Sequence, residues 1–170
     1  TTEIYPLSLH DALPISLSGG LGQDLLFGDD GDDVISGVVL GPGGDGPPVD
    51  LDGQDFLNGG NGNDTLVGGA DDVLNGGAGA DLFAVGDWID GGKVATITDY
   101  DPAEDRIGVV FDPAATPDPL VTVETEGDTA YVLLNGVRVA AVPGGAGLTA
   151  ADIELIANTP DSPVGGALAA

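Results

Sequence analysis

A large apolar residue recurs at one fixed place in each short unit along the first half of this chain. Leu26, Ile35, Leu57, Leu66, Leu74 and Phe83 each stand two places after an aspartate, with glycines filling much of the space between. The stretch GGNGNDTLVGGADDVLNGGAGADLF, residues 59–83, carries too much glycine for a helix. The period is nine. GGLGQDLLF (19–27) runs into GDDGDDVIS (28–36). After an interruption come DLDGQDFLN (50–58), GGNGNDTLV (59–67), the shortened GGADDVLN (68–75) and GGAGADLFA (76–84). Aligned, the units read G-G-x-G-x-D-x-U-x, with U a large apolar residue. The x-U-x triplet predicts a very short strand with one side chain inward, and the glycine-rich hexad predicts a turn. Two units make one coil, so each turn stacks on the turn two units later. Asp24, Asp55 and Asp72 then share one side, and Asp33, Asp64 and Asp81 the other. The expected fold class is all-β: a parallel β-roll, a kind of β-helix, over residues 17–84, followed by a small β-rich capping unit over 85–157.

The interruption GVVLGPGGDGPPV (37–49) predicts a bulged loop, because Pro42, Pro47 and Pro48 cannot donate to a strand ladder. Beyond Ala84 the pattern changes. A strand is expected near 94–99, then Asp101-Pro102 opening a single helical turn, then a strand from Arg106. Three strands at about 120–125, 129–134 and 137–142 form a meander. Its turns are Glu126-Gly127-Asp128 and Asn135-Gly136, the second with the type I′ preference. Thr149-Ala150-Ala151-Asp152 predicts a capping box and a short helix through Ile156. The β-rich unit would cover the apolar end of the roll, as terminal repeats must. Trp88 is expected to pack at that end, and residues 158–170 read as a frayed, flexible tail.

Charge turns this fold into chemistry. The net charge is −26, from 29 acidic residues against Lys93, Arg106 and Arg138, and residues 19–84 hold 13 aspartates and no basic residue. Such a chain repels phosphate backbones and anionic lipid, so nucleic acid is excluded as a partner. No apolar run approaches the ~20 residues of a membrane span. Yet 42% of the residues are hydrophobic, too many for a plainly disordered acidic tail. The turns need a cation. Candidate metal ligands are the carboxylates of Asp24, Asp33, Asp55, Asp64, Asp72 and Asp81, with turn carbonyls from Gly20, Gly22, Gly31, Gly60, Gly62, Gly77 and Gly79. Oxygen ligands of this kind suit Ca²⁺, several ions in all, better than Mg²⁺ with its strict octahedral demand. Zinc would want cysteine or histidine; there is no cysteine, and the one histidine, His10, lies outside the repeats. The Asp72 unit lacks its fourth-position glycine, which weakens or slips its turn.

Six tandem units of this motif resemble the RTX, or haemolysin-type calcium-binding, nonapeptide repeats of calcium-binding parallel β-helices. GGAGADLF running into ATITDYDPAEDRIGV is similar to the junction at which such carboxy-terminal regions enter their final β-rich unit. The resemblance covers about residues 19–157. It implies a protein secreted to the outside of a Gram-negative bacterium by a type I secretion apparatus, unfolded at low cytosolic calcium and folding outside. The expected function is therefore calcium binding, with calcium-triggered folding and export, in a monomeric module. Within the chain there is no H-E-x-x-H, no G-x-S-x-G and no histidine in the repeats, so no catalytic residue is assigned and the chain is not read as an enzyme. The alternatives are the carboxy-terminal part of an extracellular protease- or lipase-type enzyme, or of a calcium-stiffened adhesin. Residues 1–16 stand apart. LSLHDALPIS (7–16) resembles a translated sequencing adapter, lacks the basic region of a signal peptide, and is set aside as a scar.

Overall fold

The computed structural model describes residues 13–41, 49–90, 92–159 and 161–164. The repeats supply β1 (Ser16–Ser18), β2 (Leu25–Asp30), β3 (Val34–Ser36), β4 (Leu40–Gly41), β5 (Val49–Asp50), β6 (Phe56–Asn61), β7 (Thr65–Val67), β8 (Val73–Ala78) and β9 (Leu82–Gly86). Beyond them come β10 (Ala95–Ile97), β11 (Arg106–Phe111), β12 (Val121–Glu126), β13 (Thr129–Leu134), β14 (Val137–Pro143) and β15 (Ile153–Ala157). One sheet runs β1-β3-β7-β9-β11-β15, parallel throughout. The other runs β12-β13-β14-β10-β8-β6-β2 and is antiparallel only within the β12-β13-β14 meander.

Register shows why the single apolar residue per unit suffices. Leu26, Leu57, Leu74 and Ile97 align in one sheet. Leu17, Ile35, Leu66, Phe83, Ile107 and Ile153 align in the other. The six apolar residues of the repeats are all 0% exposed and join one core. Each such burial is worth roughly 1.5–3 kcal/mol, and a one-residue slip would turn the whole row outward.

Both sheets carry through residue 84 without a break, since β8 pairs with β10 and β9 with β11. The expected strands after Ala84 form, including the meander, whose Asn135 (φ 52°) and Gly136 (φ 83°) both take the positive φ of a type I′ turn. Asp105 N donates to the Asp101 carbonyl at 2.8 Å, closing the single helical turn. The expected helix through Ile156 is corrected. Thr149 and Asp152 do form the capping box, but only Ala150–Asp152 coils, as a 3-10 turn. Ile153–Ala157 is strand β15, because its backbone pairs with β11 along five residues and its β-branched Ile153 and Ile156 favour that state. The tail also differs: Val164 is 0% exposed and belongs to the core, while Pro160 and residues 165–170 lie outside the described residues. Trp88, 2% exposed, lies against Gly86 and donates from Nε1 to the Gly68 carbonyl at 3.1 Å.

The interruption sits inside a turn. The amides of Gly19, Gly37 and Gly68 donate to Ser36, Val67 and Ala84, so these glycines open the stacked turns that Asp24, Asp55 and Asp72 close. The extra residues therefore enter between Gly37 and Asp55 without shifting either sheet. They are not wholly outside a ladder, because Leu40 and Gly41 pair with Asp50 and Val49 as a two-stranded hairpin. Residues 42–48, with the three prolines, lie outside the described residues. At the other end, Ser16 lies in β1, and Ile15 N donates to Asp33 Oδ1 at 2.9 Å. These bonds use main-chain donors, which any segment with an apolar residue at position 17 could supply.

Candidate metal centre

Two columns of aspartates run up the two edges of the roll. On one, Asp24 N donates to Asp55 Oδ1 and Asp55 N to Asp72 Oδ1, both at 2.8 Å. On the other, Asp33 N donates to Asp64 Oδ1 at 2.7 Å and Asp64 N to Asp81 Oδ1 at 2.8 Å. All six carboxylate residues named from the sequence are thus placed in turns, each at most 2% exposed. All seven glycines named for their carbonyls have positive φ, from 79° to 143°. Gly62 shows why glycine is needed: its φ is 143°, and a Cβ there would overlap the Gly31 carbonyl oxygen of the turn below.

Each rung uses one carboxylate oxygen, Oδ1. The Oδ2 atoms of Asp33, Asp55 and Asp64 are buried and have no hydrogen-bond partner. Asp33 Oδ2 and the Gly59 carbonyl converge on the space beside Gly28, which a Cβ would fill. Asp64 Oδ2 and the Gly76 carbonyl do the same beside Gly59. A buried, partnerless carboxylate oxygen is costly unless a cation meets it. The donors are hard oxygens, so the residues present fit calcium. No group of three or more acidic side chains comes together as a metal cluster among the described residues. In the other column, carboxylate oxygens of successive turns share the space: Asp55 Oδ2 and Asp72 Oδ2 both lie beside Gly37.

Burial pushes these carboxyls upward, to about 6 for Asp64, about 7 for Asp55 and about 8 for Asp72, with neighbouring aspartates adding to the effect. Asp33, Asp52 and Asp81 shift the same way, again chiefly by burial. In the absence of metal the folded state therefore binds more protons than the unfolded chain, whose aspartates titrate near 3.8. The protonated roll keeps its stability below pH ~4 and loses it as pH rises through the range ~6–8. Circular dichroism in metal-free buffer is expected to show more β-structure at pH 4.5 than at pH 8. With calcium present the order reverses, because protons compete for the ligands. A metal-free spectrum independent of pH would contradict the burial of these groups.

Two participants were missed in the sequence. Asp81 N donates to Asp105 Oδ1 at 3.0 Å, so Asp105 is a further rung beyond the glycine repeats. Asp99 accepts from Gly76 N at 2.9 Å and Gly77 N at 2.8 Å. Asp105 stands two places before Ile107, the D-x-U signal of the repeats without their glycines.

Asp72 differs from its companions, since its Oδ2 accepts from Gly69 N at 2.7 Å. Asp64→Ala is therefore expected to weaken calcium at its turn about tenfold, the size of one lost charge-assisted contact, and to lower the bound count. Asp72→Ala should change calcium binding less. Equal stoichiometry and midpoint for the two variants by calorimetry would refute that ranking.

Fold and donors together define a calcium-binding β-roll. Residues 16–37 and 50–83 match the RTX calcium-binding nonapeptide repeat, in four copies, so the chain carries RTX repeats. All six aspartate-closed turns fall within these two stretches. A similar solved structure is the solution structure of the AlgE6R3 subunit from the Azotobacter vinelandii mannuronan C5-epimerase. It is 22% identical, over 86% of this chain and 81% of that one, with a TM-score of 0.27. No curated protein sequence matches the chain.

Proposed function

We propose that this chain is the calcium-triggered folding and export module of a secreted bacterial RTX protein. The observation that carries the reading is the set of buried Oδ2 atoms on Asp33, Asp55 and Asp64, aimed into glycine turns with no partner of their own. A chain with these groups resists compaction where calcium is scarce and folds where it is plentiful. That property suits passage through a narrow type I export channel, with folding only on the outside. Among the described residues no helix is long and apolar enough to cross a membrane.

The module acts by binding and not by catalysis. Its adjacent acids are engaged as structural groups: Asp71 pairs with Lys93, and Asp72 accepts two backbone N–H groups. A calcium titration of residues 17–170 tests the reading. The folding midpoint is expected on the order of 10⁻⁴–10⁻³ M, as for extracellular modules. A midpoint near ~10⁻⁶ M, the range of cytosolic sensors, would place folding before export and defeat the proposal.

A further inference from the structure

In the column of Asp33, Asp64 and Asp81, fourth-position glycines bond to main-chain oxygens of the next turn. Gly31 N donates to the Asn61 carbonyl at 2.9 Å, and Gly62 N to the Ala78 carbonyl at 2.8 Å. Each acceptor is the third residue of its turn. The turn that carries the insertion does this differently. There Gly22 N donates at 2.7 Å to the side chain of the third residue, Asp52, through Oδ1. Gly53 still stacks on Gly22, since a Cβ on Gly53 would overlap the Gly22 carbonyl oxygen. The turn keeps its place, but a carboxylate serves where a neutral carbonyl serves in the other column.

The inserted segment fixes that carboxylate. Leu51 N donates to the Val39 carbonyl at 2.9 Å, and Asp52 N to Asp50 Oδ1 at 3.1 Å. Asp50 is tied in turn to the next coil, where Ala70 N donates to its Oδ2 at 2.9 Å. Asp52 Oδ1 accepts a second bond from Gly53 N at 2.8 Å, which leaves Oδ2. That atom is buried and meets no hydrogen-bond donor. Asp55, 1% exposed, also has a partnerless Oδ2, and of the charges acting on its carboxyl that of Asp52 comes first. Third-position residues of the other column offer no such oxygen: Asp30 is exposed, and Asn61 and Ala78 are uncharged.

We infer that Asp52 is a calcium ligand outside the nonapeptide motif, acting through Oδ2 beside Asp55. This rests on the reading of the turns as calcium sites. A buried carboxylate oxygen without a donor is costly until a cation meets it. Ligand charge is also one of the quantities that sets calcium affinity in oxygen sites. The insertion-bearing turn therefore holds its ion more tightly than a turn of the Asp33 column.

Asp52→Asn separates a ligand from a brace, because the two roles predict opposite signs. The amide keeps an oxygen for Gly22 N and Gly53 N, and puts an NH2 group in place of the partnerless oxygen. If Asp52 is a ligand, calcium at its turn weakens about tenfold by calorimetry, the size of one lost charge-assisted contact. Several ions share the folding transition, so its calcium midpoint by circular dichroism rises less, by about 1.5- to 2-fold. Saturating calcium restores the wild-type spectrum. If Asp52 only braces the turn, the variant sheds an uncompensated buried charge and the midpoint falls or stays. Asn61→Ala, at the same position in the other column, should leave the midpoint unchanged. An unchanged or lowered midpoint in Asp52→Asn, an equal rise in Asn61→Ala, or a variant still unfolded in saturating calcium overturns the inference. A wild-type chain that takes up no calcium would instead overturn the calcium reading of every turn.

Discussion

In chelator at neutral pH, residues 17–170 are expected to show the circular dichroism of a disordered chain, and to gain β-signal cooperatively in millimolar Ca²⁺. The roll stacks six aspartates, each at most 2% exposed, in two columns. Between residues 19 and 84 no basic residue offsets them. Apolar burial favours the fold, but an ionised carboxylate held out of water without a partner costs several kcal/mol. Calcium reverses that balance by mass action. At ten times its dissociation constant each ion adds about 1.4 kcal/mol, so four or five ions approach the ~5–15 kcal/mol stability of a small domain. Shared strands couple the coils, which is why the transition should be steep. A spectrum already folded in chelator, and unmoved by calcium, would end the proposal of calcium-triggered folding.

Ending the chain at Ala84 is expected to abolish this transition, although all six aspartates remain. The cut falls inside β9 and removes β10 and β11, on which β8 and β9 pair. Phe83 and Leu74, both 0% exposed, lose Ile107 and Ile97 as register partners. Asp81 N loses Asp105, and the amides of Gly76 and Gly77 lose Asp99. Bare donors and a wetted apolar row then stand at the growing end of a solenoid, where capping is required. Small-angle scattering of residues 17–84 should show an expanded chain with and without millimolar Ca²⁺. Full compaction in calcium would show that ligation alone folds the repeats and that the later strands are dispensable.

Much of the site was legible because a nine-residue period ties side-chain chemistry to position. An aspartate two places before a large apolar residue can put the carboxylate in a turn and the apolar group inside only if the triplet is a strand. Asp105 escaped notice because DYDPAED makes its turn with proline and a helical coil instead of glycines. The backbone reaches the same rung by another route. The Thr149 capping box was legible, yet it opens only a 3-10 turn before strand β15. Pairing with β11 is a non-local term that local helix signals do not contain.

Periodicity and charge by themselves determined the two-sided roll, the six buried apolar residues, the six turn-closing aspartates and the need for a cation. All of these arise from local geometry repeated in register. Only the tertiary structure decided which oxygens are left for that cation. Lys93 and Trp88 come from the loop after β9, and Asp50 and Gln54 from the segment after the insertion, yet all meet at the Asp72 turn. How that turn is braced depends on these distant partners, and spacing along a chain cannot report them.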